Sequence, residues 1–320
     1  MDITCEELTE EIAERLRENC RSPIYPAASV RVQPSGCVHT ALYSQHANRF
    51  RDFSIREDDV WVASYPKCGT TWTQEMVWLI ANDLDFDKAK NVPLNERVPF
   101  FESPAIASMP ITSSNDLITS LENLKTRRFF KTHLTKDLLP QQVWSKKPKI
   151  VYVSRDPKDA VVSYYHHHRL WNGYSGTFQD FYDAFLADVL VYSPFWDHVL
   201  DYWRLRDEPN VLYNTYEEMK RHLSFQNMRS NPATNLETYA KDERKRYGLT
   251  EDPNLKFIRQ GESGGWRKEM SDAMAAKIDS WTRDKLRGSG YPLPQVQVDG
   301  KGHDSTADTI LQPNSRITHI

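Results

Sequence analysis

Cysteine is scarce in this chain: Cys5, Cys20, Cys37 and Cys68 are the four among 320 residues, and no two have C-x-x-C spacing. So sparse a set excludes a disulfide framework and fits a reducing compartment. A basic excess is also missing. The 41 Lys and Arg are outweighed by 44 Asp and Glu, for a net charge of -3, which argues against a general nucleic-acid binder and leaves any polyanion to be gripped locally. There is no apolar run long enough to cross a bilayer, no signal-peptide core and no internal repeat, so a soluble, cytoplasmic protein without a membrane partner is expected. What is present, 39% hydrophobic and 12% aromatic residues, suffices for one large core, and one α/β domain is expected over two.

The most informative stretch is Ser64-Tyr65-Pro66-Lys67-Cys68-Gly69-Thr70-Thr71-Trp72, reached from the apolar run Val60-Trp61-Val62-Ala63. It reads as a strand that breaks at Pro66, turns at Gly69 and enters a helix capped by Thr70 or Thr71, with Trp72, Met76, Val77 and Leu79 or Ile80 on one side. Backbone N–H groups, a helix N-terminus, two hydroxyls and one ammonium then meet in one small volume, which suits a phosphate or sulfate group. In a Walker A loop the lysine follows the second glycine. Here Lys67 precedes Gly69, which points to a nucleotide site other than a Mg-NTP site.

Farther along, strand patterns at Val60–Ser64, Arg128–Thr132, Lys149–Ser154 and Asn210–Asn214 alternate with helix patterns at Thr71–Ala81, Asp159–Leu170, Phe178–Leu186 and Pro194–Leu205. Such alternation implies a parallel sheet covered by helices on both faces, with ligands bound beyond the carboxyl ends of the strands. A capping box at Thr4-x-x-Glu7 predicts an amphipathic helix over residues 6–19. The polar residues 292–320 show no periodicity and are expected to be disordered. Each strand end or late loop carries a cation: Lys67, Lys131, Arg155 and Arg259. Acidic residues able to ligate a metal do not recur there. His166-His167-His168 is read as a non-metal run, because consecutive helical residues point about 100° apart, while Cys68 beside a helix N-terminus leaves a nucleophile reading open.

Tyr65 to Trp72, Lys131-Thr132-His133, Arg155-Asp156-Pro157-Lys158-Asp159 with Ser163-Tyr164-Tyr165, and Ser224-Phe225-x-x-Met228 closely resemble the cytosolic sulfotransferases, in particular insect members, over residues 32–291. The resemblance implies a single-domain, P-loop-like α/β fold with a central parallel sheet flanked by helices. Its donor would be 3′-phosphoadenosine 5′-phosphosulfate (PAPS), with no metal. Lys67, Cys68, Gly69, Thr70 and Thr71 would hold the 5′-phosphosulfate and Trp72 would stack on adenine. Arg155 and Ser163 would bind the 3′-phosphate; Tyr216, Ser224, Phe225 and Met228 match the adenine and phosphate contacts, and Arg259, Gln260 and Gly261 a further phosphate-binding stretch. His133 would act as base in an in-line transfer to the hydroxyl of a small, largely apolar acceptor (phenol, sterol or retinoid alcohol), with Lys67, Lys131 and Ser163 as the other catalytic residues. Phe100, Phe101, Ile106, Met109 and Trp171 suggest a greasy acceptor pocket, with core packing an equal alternative for them.

Residues 1–31 would then be an N-terminal helical extension, 32–291 the sulfotransferase domain and 292–320 a polar tail. Three departures from the family stand out. Tyr216-Glu217-Glu218-Met219-Lys220 is followed almost at once by Ser224-Phe225, so an internal block near 220–222 is missing. Leu223 and Gln260 stand where the family usually has Thr and Lys. The family's dimer motif is not matched at residues 267–276, which leaves a homodimer open. A catalytically impaired PAPS-binding homologue and, less favoured, a Mg-dependent kinase are the competing readings. An alcohol-dehydrating variant of the sulfotransferase is not distinguished from the ordinary one.

Overall fold

The computed structural model describes residues 3–20, 28–106, 116–216, 234, 236–250, 252, 255–258 and 263–292. Among them, seven strands run in order as β1 (Thr4–Glu7), β2 (Ser29–Gln33), β3 (Cys37–Thr40), β4 (Val60–Ala63), β5 (Phe129–Thr132), β6 (Lys149–Ser154) and β7 (Val211–Thr215). The helices are α1 (Glu11–Glu18), α2 (Tyr43–Arg51), α3 (Thr70–Ala81), α4 (Phe86–Asn91), α5 (Leu94–Arg97), α6 (Leu117–Asn123), α7 (Val143–Lys146), α8 (Pro157–Trp171), α9 (Phe178–Leu186), α10 (Phe195–Trp203), α11 (Glu237–Arg246) and α12 (Asp272–Leu286).

The central sheet has the order β5-β4-β6-β7 and every pairing in it is parallel, with Ala63 opposite both Thr132 and Tyr152 and Ser154 opposite Thr215. Parallel register brings all four carboxyl ends to one edge, which is why residues far apart in the chain share one site. Strand β4 is buried on both faces. Trp61 and Ala63 enter one core with Phe101, Phe130 and Tyr152, while Val60 and Val62 enter another with Val77, Trp78 and Phe129. Each buried Val or Phe among these contributes roughly 1.5–3 kcal/mol by burial.

The four central strands and the helices that follow β4 and β6 match the periodicity to within two residues at most boundaries. The capping box does not form. Thr4 to Glu7 are instead a strand, paired antiparallel with Ser29–Gln33, which in turn pairs with Cys37–Thr40. The first helix begins only at Glu11. This small antiparallel sheet was not expected, because four residues, three of them exposed and none buried, carry too little alternation to outweigh a helix signal.

Two buried ion pairs brace the frame. Arg128 makes a two-pronged contact with Asp59, at 2.7 and 2.6 Å, with both side chains fully buried. Arg97 holds Glu75 at 2.7 Å, joining α5 to α3.

Candidate active site

The loop after β4 turns through two left-handed residues, Lys67 at φ 69° and Gly69 at φ 107°. A lysine there sits in a region that costs non-glycine residues roughly 1–2 kcal/mol. Gly69 is the N-cap of α3, and the hydroxyl of Thr73 donates back to its carbonyl at 3.1 Å. Thr70 opens the helix with its hydroxyl against that of Ser64. The turn and the N-terminus of α3 sit side by side, an arrangement that suits an anion, although the Cys68 N–H already donates to the Tyr65 carbonyl at 3.4 Å. Cys68 is buried, and its thiol points to the Pro66 carbonyl at 3.8 Å, in keeping with a backbone role.

Arg155, just past β6, clamps this turn from the neighbouring strand. Its Nη1 donates to the Lys67 carbonyl at 3.1 Å, its guanidinium lies 4.3 Å from the Tyr216 ring centroid, and Nη2 is 3.9 Å from Asp159. Trp72 and Tyr216 are buried with ring centroids 5.7 Å apart. The Arg-Asp-Pro-Lys-Asp motif divides the remaining work. Asp156 caps α8 by accepting from the Lys158 N–H, and Pro157 takes the first helical position, where its missing N–H costs nothing. Lys158 pairs with Asp279 at 2.6 Å, and the Asp159 carboxylate accepts from the backbone of Gly264 and Trp266 at 2.7 and 3.1 Å. Ser163, one helical turn on, borders a small cavity with Lys67, His166, His167, Leu170, Lys256 and Phe257. The Lys67 ammonium lies 4.5 Å from the Phe257 ring centroid.

His133 follows β5. Its Nδ1 is 2.7 Å from the Ser64 carbonyl oxygen, and because a carbonyl only accepts, Nδ1 carries the proton and Nε2 keeps the lone pair. Burial, then the Lys131 charge, hold its pKa well below the usual imidazole value. The imidazole is thus neutral at neutral pH. Phe100 and Tyr192 flank the ring at 5.4 and 5.3 Å.

Three residues, and the sheet pairing of residues 99–101, escaped the sequence. Residues 99–101 add to the sheet edge beside β5, with Lys131 N–H on the Pro99 carbonyl at 2.8 Å. They deliver Glu102, which is fully buried and accepts from the His133 N–H at 2.6 Å and the Thr132 hydroxyl at 2.9 Å. Burial pushes the Glu102 carboxyl up to about 7, and burial lowers the Lys131 ammonium to about 8. His198 donates from Nε2 to the His133 carbonyl at 2.9 Å and accepts the Tyr152 hydroxyl at 2.9 Å. Tyr192 supplies an edge-on wall. A charged residue directly after Phe100-Phe101 was the available sign for Glu102; the others have no local signature.

The structure therefore brings together Lys67, Cys68, Gly69, Thr70, Thr71, Trp72, Lys131, His133, Arg155, Ser163 and Tyr216 along one sheet edge. Ser224, Phe225, Met228, Arg259, Gln260 and Gly261 lie outside the described residues, as does Met109. The histidine run diverges: His166 meets Glu269 at 2.6 Å, His167 lines the cavity and His168 packs on Phe181. Among the described residues no cluster of three or more His, Cys, Asp or Glu is placed to hold a metal, and no helix is long and apolar enough to cross a membrane.

The family model described as "Sulfotransferase domain" matches residues 57–223 and 221–290. The chain belongs to the sulfotransferase family. Luciferin sulfotransferase of Photinus pyralis is 41% identical over 288 residues, covering 78% of this chain and 77% of that protein. Sulfotransferase 1 family member D1 of Mus musculus is 32% identical over 275 residues, covering 77% and 89%. Among solved structures, retinol dehydratase in a complex with retinol and PAP superposes with a TM-score of 0.80 at 27% identity, covering 92% of this chain and 99% of that one. This sulfotransferase is thus a cytosolic-type member of the family with its single-domain α/β fold, and it is an enzyme of sulfuryl transfer.

Proposed function

We propose that the enzyme moves the sulfuryl group of PAPS to the hydroxyl of a small, largely apolar acceptor of the phenol, sterol or retinoid-alcohol kind, with His133 as the base. The observation that carries the reading is the Nδ1 bond to the Ser64 carbonyl, which leaves Nε2 to take a proton. Solved relatives named as complexes of PAP with retinol or androsterone support both the donor and the acceptor class. The residues here fit such a donor: a cradle of N–H groups at residues 67–71, a guanidinium and a hydroxyl at Arg155 and Ser163 for a second phosphate, and the Trp72 and Tyr216 rings for a base. Arg259, Gln260 and Gly261, with Ser224, Phe225 and Met228, would complete it.

In the transfer, the acceptor oxygen bonds to sulfur as the bond from sulfur to the donor's phosphate oxygen breaks, and the hydroxyl proton passes to His133 Nε2. Lys67 and Lys131 offset the charge that gathers on the sulfuryl and leaving oxygens. Glu102 and His198 act one step removed, by fixing the His133 main chain on both sides. Radiolabelled PAPS with a panel of phenols, steroids and retinol should yield sulfated product. His133→Ala should lower the rate by about 10²–10⁴-fold; a variant as fast as the parent would remove His133 from this role.

A second reading, an impaired homologue that binds PAPS without turnover, draws on the family match arriving in two pieces that meet at 221–223, as expected if an internal block is missing. Calorimetry with PAP separates the two readings, since tight binding without product would favour the second.

A further inference from the structure

His39 on β3, Tyr43 at the start of α2, Tyr192 just before α10 and Glu102 after the sheet-edge residues 99–101 are all buried, none more than 4% exposed. Strand β3 and the Tyr192 turn are fastened to each other. The Tyr192 N–H donates to the Val38 carbonyl at 2.6 Å and the Val38 N–H to the Ser193 carbonyl at 2.8 Å, with Tyr192 held at a left-handed φ of 73°. The His39 ring packs against Tyr43 at 4.4 Å and Tyr192 at 5.2 Å between centroids. Three polar atoms of this cluster are buried with no hydrogen-bond partner among the described residues: His39 Nε2, Tyr43 Oη and Tyr192 Oη. Folded interiors rarely leave one such atom unmade, and three on touching rings call for a shared partner.

The chemistry of that partner follows from the groups around it. His39 Nδ1 accepts from the Thr40 N–H at 3.0 Å, so Nε2 carries the proton of the ring, which burial keeps neutral by lowering its pKa to about 3; this nitrogen can only donate. Glu102 gives two acceptor positions to the His133 N–H and the Thr132 hydroxyl, of about four that a carboxylate offers. Burial, followed for Tyr192 by the Glu102 carboxylate and for Tyr43 by the Cys37 thiol and that carboxylate, raises both phenols above their ordinary range. The occupant must accept from an imidazole N–H and donate toward a carboxylate. A carbonyl or carboxylate cannot donate, and a metal ion or ammonium cannot accept. We propose that a buried water molecule bound between His39 Nε2, Tyr43 Oη and Tyr192 Oη passes a hydrogen bond toward Glu102 and so supports the carboxylate that holds the His133 main chain. About three bonds per molecule is usual for internal water. Strand β3 and helix α2, outside the central sheet, thereby take part in the site. The water site stands on the fold alone; its effect on turnover rests on the function proposed above.

The test is a crystal structure of the full-length protein with PAP, fine enough to show ordered solvent, for the parent and for His39→Leu, alongside turnover of PAPS with 2-naphthol. The parent should hold a water within about 3.2 Å of His39 Nε2 and of at least one of the two phenol oxygens, and His39→Leu should lack it. Tyr43→Phe and His39→Leu should each lower kcat by about two- to tenfold, the scale of one hydrogen bond, at unchanged PAP affinity by calorimetry. His39→Gln, which returns an N–H near the position of Nε2, should recover most of the loss. A parent without that water, the three side chains bonded directly to one another, an acceptor oxygen filling the place in a ternary complex, or variants at the parent's kcat would each overturn the proposal. A parent that makes no sulfated product would strike the proposed function instead, and the electron density would then decide the water site by itself.

Discussion

The imidazole of His133 donates through Nδ1 to the main-chain carbonyl of Ser64 at 2.7 Å, so the ends of two adjacent parallel strands set the tautomer of the proposed base. Neither residue would do so if β4 and β5 were shifted by one position. Titration of the imidazole nitrogens by ¹⁵N NMR should therefore find His133 neutral and protonated on Nδ1 from about pH 6 to about pH 8, since its pKa lies well below the usual value of about 6.5. A mixture of tautomers across that range would contradict the assignment.

Lys131 should set the alkaline limb of activity. Its ammonium is lowered to about 8 by burial, partly opposed by the Glu102 carboxylate. The cation is present below that value and lost above it, so kcat/KM should hold through neutral pH and decline above about pH 8. Lys131→Arg, which cannot lose its charge in this range, should abolish the alkaline decline even if it lowers the plateau. An unchanged limb would assign it to another group.

The pair of Arg128 and Asp59 makes a stability prediction. Arg128→Met leaves the Asp59 carboxylate buried without its cation, and about 3–5 kcal/mol should be lost in urea denaturation. Adding Asp59→Leu should recover part of that loss, because the charge that lacks a partner is then gone as well. A single variant within about 0.5 kcal/mol of the parent would mean that water or another group takes over.

Asp159 ties α8 to the segment at Gly264 and stands beside Arg155. Asp159→Ala strands two backbone donors, each costing about 1–3 kcal/mol if it stays buried, and frees the guanidinium to wander. Both the melting temperature and the affinity for PAP measured by calorimetry should drop. Loss of stability alone, at full affinity, would limit the residue to a structural part.

Much of this was readable from residue order. Val60 to Ala63 is a short, wholly apolar run that reads as a buried strand, and Pro66 with Gly69 punctuates its end, so the strand, the turn and the helix after it could be placed from the chain alone. The helix that carries Ser163, expected at Asp159–Leu170, begins two residues earlier at Pro157, because Asp156 caps it. Glu102, Tyr192 and His198 were hidden because their roles exist only through long-range register: a sheet edge at residues 99–101, and a carbonyl reached across sixty-five residues of chain. The strand at Thr4–Glu7 failed for the opposite reason. Its local pattern favoured a helix, and pairing with Ser29–Gln33 prevailed.

Strand β4, covered on both sides, reaches the loop at Lys67 through Ser64, Tyr65 and Pro66, all three buried. A loop rooted in that way has no softer hinge by which to come loose first, so its amides should exchange with solvent only when the whole sheet opens. Heat should then abolish ligand capture and tertiary structure at one temperature, with no warm, intact but binding-incompetent form in between.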